Sequence, residues 1–159
     1  GNNSELINSL KYIVKNPQPS YLRLDKDEIS EPTSNPNLLI KPGKLTKILN
    51  GSKKNVIITT GNVQHIAINM VKKKYKNYSI YSLPAWGMQT KKTFFNSINK
   101  FNKIVTVEDH FHDGGFGSWV SEILSKYKND IYIESKYISI KSINDVGSKK
   151  YLLEKYGPK

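Results

Sequence analysis

Cysteine is absent from the 159 residues. That removes disulfides and thiolate metal ligands from consideration and gives no sign of an oxidising compartment. Arginine occurs once, as Arg23, whereas proteins that read nucleic-acid bases usually carry several for bidentate contacts. No apolar run approaches the ~18 residues of a membrane span, and no charged leader with an apolar core opens the chain. A soluble cytoplasmic protein is therefore expected. Gly1 fits the scar of an expression tag, which would make the chain a fragment of something longer. Neither G-x-G-x-x-G nor G-x-x-x-x-G-K-[ST] occurs, so the common phosphate cradles are excluded. No nucleophile elbow, paired-carboxylate pattern or Ser/His/Asp set stands out, and no catalytic residue is assigned.

What the chain does have is lysine. Lys and Arg number 25 against 13 Asp and Glu, a net charge of +12. Such a charge speaks to solubility and nonspecific association. The lysines are scattered through every segment, so composition accounts for them better than a dedicated nucleic-acid surface, and no specific nucleic acid and no membrane is expected as a partner. The apolar content, 37% of residues, and the length suit one α/β domain with a small appendage.

Residues Glu5 to Lys15 have helical spacing of Leu6, Leu10, Ile13 and Val14, with Ser4 as the expected N-cap. Asn16-Pro17-Gln18-Pro19 stops that helix, and Ser20 to Leu24 is a strand candidate. A helix and one strand cannot close a core, so this piece must dock on something else. A polar stretch from Asp25 to Leu38, with Pro32 and Pro36, reads as a linker. The main domain follows it.

In the main domain, Gly43 to Leu49 alternates apolar and polar residues, and Asn55 to Thr60 is an apolar strand; the two are expected to be antiparallel neighbours joined across Asn50 to Lys54. Three strand–helix units follow. Val56–Thr60 leads into a helix with Val63, Ile66, Ala67, Met70 and Val71 inward. Ser79–Leu83 leads into one carrying Phe94, Phe95, Ile98 and Phe101. Ile104–Val107 leads into one with Val120, Ile123, Leu124 and Tyr127 on one stripe. Ile131–Ile133 makes a last strand and Lys149–Tyr156 a terminal helix. Strands joined by helical crossovers imply a mostly parallel sheet covered on both faces, with one antiparallel strand at its edge.

Between the third strand and its helix lies Glu108-Asp109-His110-Phe111-His112-Asp113, then Gly114-Gly115-Phe116-Gly117-Ser118. Backbone N–H groups of such a turn, at a helix N-terminus, form a candidate anion site; the competing reading is that the glycines allow a tight turn and close packing. His110, His112 and Asp113 are metal-ligand types, but H-x-H-D alone does not make a site and His65 lies on a separate element, so no metal is assigned. Acid–base work by either histidine stays open, with a polar interface role preferred.

Taken in order, several stretches resemble the C-terminal part of a transketolase-type thiamine-diphosphate enzyme. Pro19-Ser20-Tyr21-Leu22-Arg23-Leu24 is similar to the last strand of the family's pyrimidine-binding domain. Lys41-Pro42-Gly43-Lys44, Asn50-Gly51 and Val56-Ile57-Ile58-Thr59-Thr60-Gly61 resemble the entry into its C-terminal domain. Val105 to His110 with Gly114 to Ser118 matches the family's strand, acidic pair, histidine and glycine turn, and Leu153-Glu154-Lys155-Tyr156-Gly157 its ending. With this resemblance, the organisation expected is residues 1–29 as a remnant of the pyrimidine-binding domain, 30–41 as linker and 42–159 as the main, C-terminal domain. The resemblance implies a three-layer α/β/α fold with a mixed, mostly parallel five-stranded sheet and one antiparallel edge strand. It implies a transferase of two-carbon units between sugars or sugar phosphates, active as a homodimer. It also implies that thiamine diphosphate and Mg²⁺ are bound by the other domains, on the same chain or a partner subunit, and not by this segment, which would be inactive alone. Lys26 stands where the family often has an arginine for a sugar-phosphate substrate, keeping the charge but not the fork. Two alternatives remain: another thiamine enzyme (a deoxyxylulose-phosphate synthase or a two-oxo-acid dehydrogenase beta chain), or a free-standing basic domain that binds phosphate or nucleotide. His110 and the short glycine loop lean towards transketolase-like chains.

Overall fold

The computed structural model describes residues 1–25, 38–127 and 130–159. Helix α1 (Asn3–Lys15) starts two residues earlier than the capping pattern suggests, because Asn2 rather than Ser4 is its N-cap and accepts from the backbone N–H of Glu5 at 2.8 Å. Its orientation corrects the expectation from apolar spacing. Ser4, Glu5 and Ser9 are the buried residues, while Ile7, Leu10 and Val14 are exposed. The run Ser20–Leu24 makes no ladder; a strand needs a neighbour, and none of the described strands pairs with it. Tyr21 and Leu24 are left exposed.

The main sheet contains β1 (Thr46–Leu49), β2 (Asn55–Thr59), β3 (Ser79–Ser82), β4 (Lys103–Val107) and β5 (Tyr132–Lys136) in the order β1-β3-β2-β4-β5. Between them lie α2 (Gln64–Lys73), α3 (Lys91–Ile98) and α4 (Phe116–Lys126), with α5 (Lys149–Tyr156) after β5. This is the expected three-layer α/β/α arrangement with one antiparallel edge strand. The partner of that edge strand differs from expectation: β1 pairs antiparallel with β3, not with β2. Both edges of β2 are taken by the parallel strands β3 and β4, as its almost wholly buried pattern demands. The 50–54 connection instead crosses the start of β3, where Ser79 Oγ donates to Ser52 O at 2.8 Å.

Alternation along the central strands feeds two cores. Ile57, Ile80, Val105 and Val107 pack beneath α2 with Val63, Ala67 and Met70. Val56, Ile58 and Ile104 face α3 and α4, where Phe94, Phe116, Trp119, Val120 and Ile123 close the layer. Each such buried apolar side chain stabilises the fold by about 1.5–3 kcal/mol. The edge strand β5 carries Glu134, which accepts from Tyr75 Oη at 2.6 Å and ion-pairs with Lys103 and Lys136 at 3.0 Å each. Burial works against its charge, but these hydrogen bonds prevail and hold its carboxyl down to about 2. Beyond β5, Asp145 accepts from Tyr151, Lys155 and Tyr156, and so fastens α5 to the preceding turn. Among the described residues no helix is long and apolar enough to cross a membrane.

Chain order places β3 on one side of β2 and β4 on the other, so the topological switch point lies at the carboxyl ends of β2 and β4. The acidic pair and the glycine turn follow β4 directly. Phe94 is fully buried with its ring centroid 5.0 Å from Trp119 and 6.3 Å from Phe116, so Phe94→Ala is expected to cost about 3–5 kcal/mol, read as a lower urea midpoint at unchanged slope.

Candidate functional site at the carboxyl edge of the sheet

Glu108 and Asp109 are consecutive, so their side chains leave the end of β4 in different directions. Glu108 turns inward and is 1% exposed. Its two carboxylate oxygens accept from the backbone N–H groups of Phe116 at 2.6 Å and Gly117 at 2.8 Å. These are the first orphan donors of α4, and a negative charge there also complements the helix dipole. Burial pushes the Glu108 carboxyl up; the Gly117 and Phe116 N–H groups, with His110 and His112, pull in the other direction. The anion at the N-terminus of α4 is thus supplied by the chain itself.

The glycines are explained by that carboxylate. A Cβ on Gly115 would lie 2.3 Å from Glu108 Oε2 and 2.3 Å from Phe111 O, and one on Gly117 would lie 2.6 Å from Ser135 Oγ and 3.1 Å from Glu108 Oε1. Gly114 makes the turn at φ 69°. Phe116 is buried against Trp86, Phe94 and Trp119, and Ser118 Oγ donates to His112 O.

Asp109 turns the other way and is 8% exposed. Arg23, the chain's only arginine, grips it with both arms: Nη1 donates to Oδ1 at 3.1 Å and Nη2 to Oδ2 at 3.0 Å. Next to it, Asn62 Nδ2 donates to Asp25 Oδ2 at 2.9 Å, and Lys149 pairs with the same carboxylate. Gln64 Nε2 donates to the buried Glu5 at 2.8 Å, and Gly1 N donates to Gly61 O. The N-terminal piece therefore lies across the switch-point crevice. None of Asn62, Glu5 or Gln64 stood out by sequence motif; Arg23 was marked by its rarity and as part of the Pro19–Leu24 stretch, but not as a partner of Asp109.

The histidines do not converge. His110 is exposed, its Nδ1 3.1 Å from Phe111 O. His112 lies 3.5 Å from the exposed Asp113 carboxylate and packs on Tyr137. His65 sits on α2, its pKa lowered by burial and by Lys149. Among the described residues no group of three or more His, Asp or Glu is placed to hold a metal ion. Lys26 lies outside the described residues.

Residues 44–159 match the model of the transketolase C-terminal domain. The chain belongs to that family. Over 150 residues it is 24% identical to a subunit of the apulose-4-phosphate transketolase of Actinobacillus succinogenes, covering 93% of this chain and 48% of that protein. Over 109 residues it is 37% identical to 1-deoxy-D-xylulose-5-phosphate synthase of Clostridium perfringens, covering 67% of this chain and 17% of that protein. The chain thus spans about half of the first relative and less than a fifth of the second. Among solved structures, the inactive beta4 tetramer of a split-gene transketolase superposes with a TM-score of 0.78 at 23% identity, covering 99% of this chain and 52% of that one. That likeness speaks to the fold. The family therefore joins the chain to the transketolase and deoxyxylulose-phosphate synthase superfamily of thiamine-diphosphate enzymes.

Replacing Glu108 by alanine strands two buried N–H donors and is expected to destabilise the family domain by about 2–4 kcal/mol. Asp113→Ala, on a fully exposed side chain, is expected to leave stability unchanged. Urea unfolding of the two variants side by side measures the contrast.

Proposed function

We propose that this chain is the C-terminal segment of a transketolase-like enzyme that transfers two-carbon ketol units between sugars or sugar phosphates. In this reading the segment supplies domain and subunit contacts and no catalytic group. The observation that carries it is the exposure of α1. Its polar face is buried against the main domain, while Ile7, Leu10 and Val14 face outward at 51%, 44% and 78% exposure. The unpaired extended run with Tyr21 and Leu24 follows it. One helix and one unpaired strand-like segment, apolar on the outside, suit a place in the last layer of a preceding sheet domain.

Thiamine diphosphate and Mg²⁺, implied by the superfamily, do not fit the described residues. The N–H groups at the start of α4 already bind Glu108, and among the described residues no cluster of carboxylates and histidines is placed for the metal. The cofactor is assigned to the remaining domains, on the same polypeptide or on a partner chain. The second arrangement is suggested by the apulose-4-phosphate transketolase relative, which is itself named a subunit. The assembled enzyme is read as a cytoplasmic homodimer of such units. The 37% identity to a deoxyxylulose-phosphate synthase favours a second reading, in which the complete enzyme joins a two-carbon unit from a 2-oxo acid to an aldose phosphate and releases CO2.

Calorimetric titration of thiamine diphosphate with Mg²⁺ into the chain alone is expected to show no binding; tight binding would sink the assignment of the cofactor to the other domains. Reconstitution with the product of the reading frame upstream is expected to give ketol transfer without CO2. Release of CO2 from a 2-oxo acid would support the second reading instead.

A further inference from the structure

Open α/β sheets take their ligands at the switch-point crevice. In this chain the crevice at the ends of β2 and β4 holds a piece of protein, and the contacts that hold it are polar. Arg23 makes its two bonds to Asp109 at 3.1 and 3.0 Å. Asp25 receives Asn62 and Lys149. Glu5 receives Gln64. The face that α1 presents to the crevice is Ser4, Glu5 and Ser9, all buried, with Asn2 beside them. Apolar residues, which dominate both main cores, are turned away from this junction on α1.

We propose that the carboxyl edge of the sheet is a charge-held docking socket, and that its occupant is the helix-and-extended piece Gly1–Asp25. Arg23–Asp109 is its principal latch and Asp25 with Asn62 and Lys149 its second. Such a junction differs in kind from an apolar one. Burial of apolar area is not weakened by salt, whereas ion pairs with one exposed partner are screened. The side chain of Arg23 is 52% exposed and that of Asp109 6%, so solvent ions reach the guanidinium while the carboxylate stays buried. Two oxygens at the junction, Glu5 Oε1 and Gln64 Oε1, are buried without a hydrogen-bond partner among the described residues, which further weakens the closed state. The socket therefore opens as a unit while the sheet stays folded, so that the piece docks and undocks reversibly. That the piece belongs to a preceding domain rests on the functional reading above; the socket rests only on contacts within this chain, and the experiment addresses those contacts.

Amide hydrogen exchange on the full chain is the test, with the wild type at 0.05 and 1 M NaCl and with Arg23→Met, Arg23→Lys, Asp109→Asn and the double variant Arg23→Met/Asp109→Asn. Arg23→Met is expected to speed exchange in α1 at least about tenfold, with β2 and β4 unchanged. Arg23→Lys, which keeps the charge without the fork, is expected to fall between. The double variant is expected to match the single ones, and high salt to mimic them in part. Because Arg23 is the only arginine, an arginine-specific dicarbonyl reagent provides a second readout, and Asp109→Asn is expected to raise its rate of reaction about tenfold. Unchanged exchange in α1, additive effects of the two substitutions, or equal acceleration in β2 and β4 would each overturn the socket.

Discussion

The carboxylate of Glu108, buried at the end of β4 and bonded to the first N–H groups of α4, is the constraint on which the carboxyl edge of this protein depends. A buried negative charge is tolerable only where donors are fixed around it. The donors here are two backbone amides, so the helix must begin where it does. The turn must bring Phe116 and Gly117 within reach, and the positions beside the carboxylate must lack side chains. The aromatic layer follows from the same placement, because Phe116 enters the core between Trp86, Phe94 and Trp119.

The neighbouring Asp109 does the complementary work outward. One carboxylate of the pair fixes the helix that completes the domain, and the other fixes the N-terminal piece across the switch point. This division gives the two consecutive carboxylates separate structural partners. The buried acids Glu108 and Asp109 are engaged with backbone and arginine, Asp113 is exposed beside His112, and the imidazoles point to separate partners. The relatives matched are longer than this chain, which spans 48% of one and 17% of the other.

How much of this was legible depends on how local each determinant is. The apolar stretch from Val56, the strand Ile104–Val107 and the terminal helix Lys149–Tyr156 were readable because each carries its own periodicity and its own stop. The neighbour of β1 was not, since Asn50-Gly51 looks like a hairpin turn while the preference of β2 for two parallel partners is settled by strands that come later in the chain. The facing of α1 misled for a related reason. Leu10 and Val14 have core spacing, but the surface they suit is not supplied by the described residues, and the polar side docks instead. Within the site, the glycine turn and the acidic pair were visible as a motif. Which anion the turn holds was not, because Glu108 and Gly117 meet only after the chain reverses. Arg23 and Asp109 are 86 residues apart, beyond any periodicity.

Everything at this edge turns on the glycine turn being filled by the protein's own carboxylate and serving structure. The most direct test follows the backbone ¹H–¹⁵N signals of Phe116 and Gly117 during a titration with inorganic phosphate at neutral pH. These two resonances are predicted to stay in place up to tens of millimolar, as expected of N–H groups already bonded to Glu108. Saturable shifts of both at low phosphate concentration would contradict this and would return the turn to service as a ligand site.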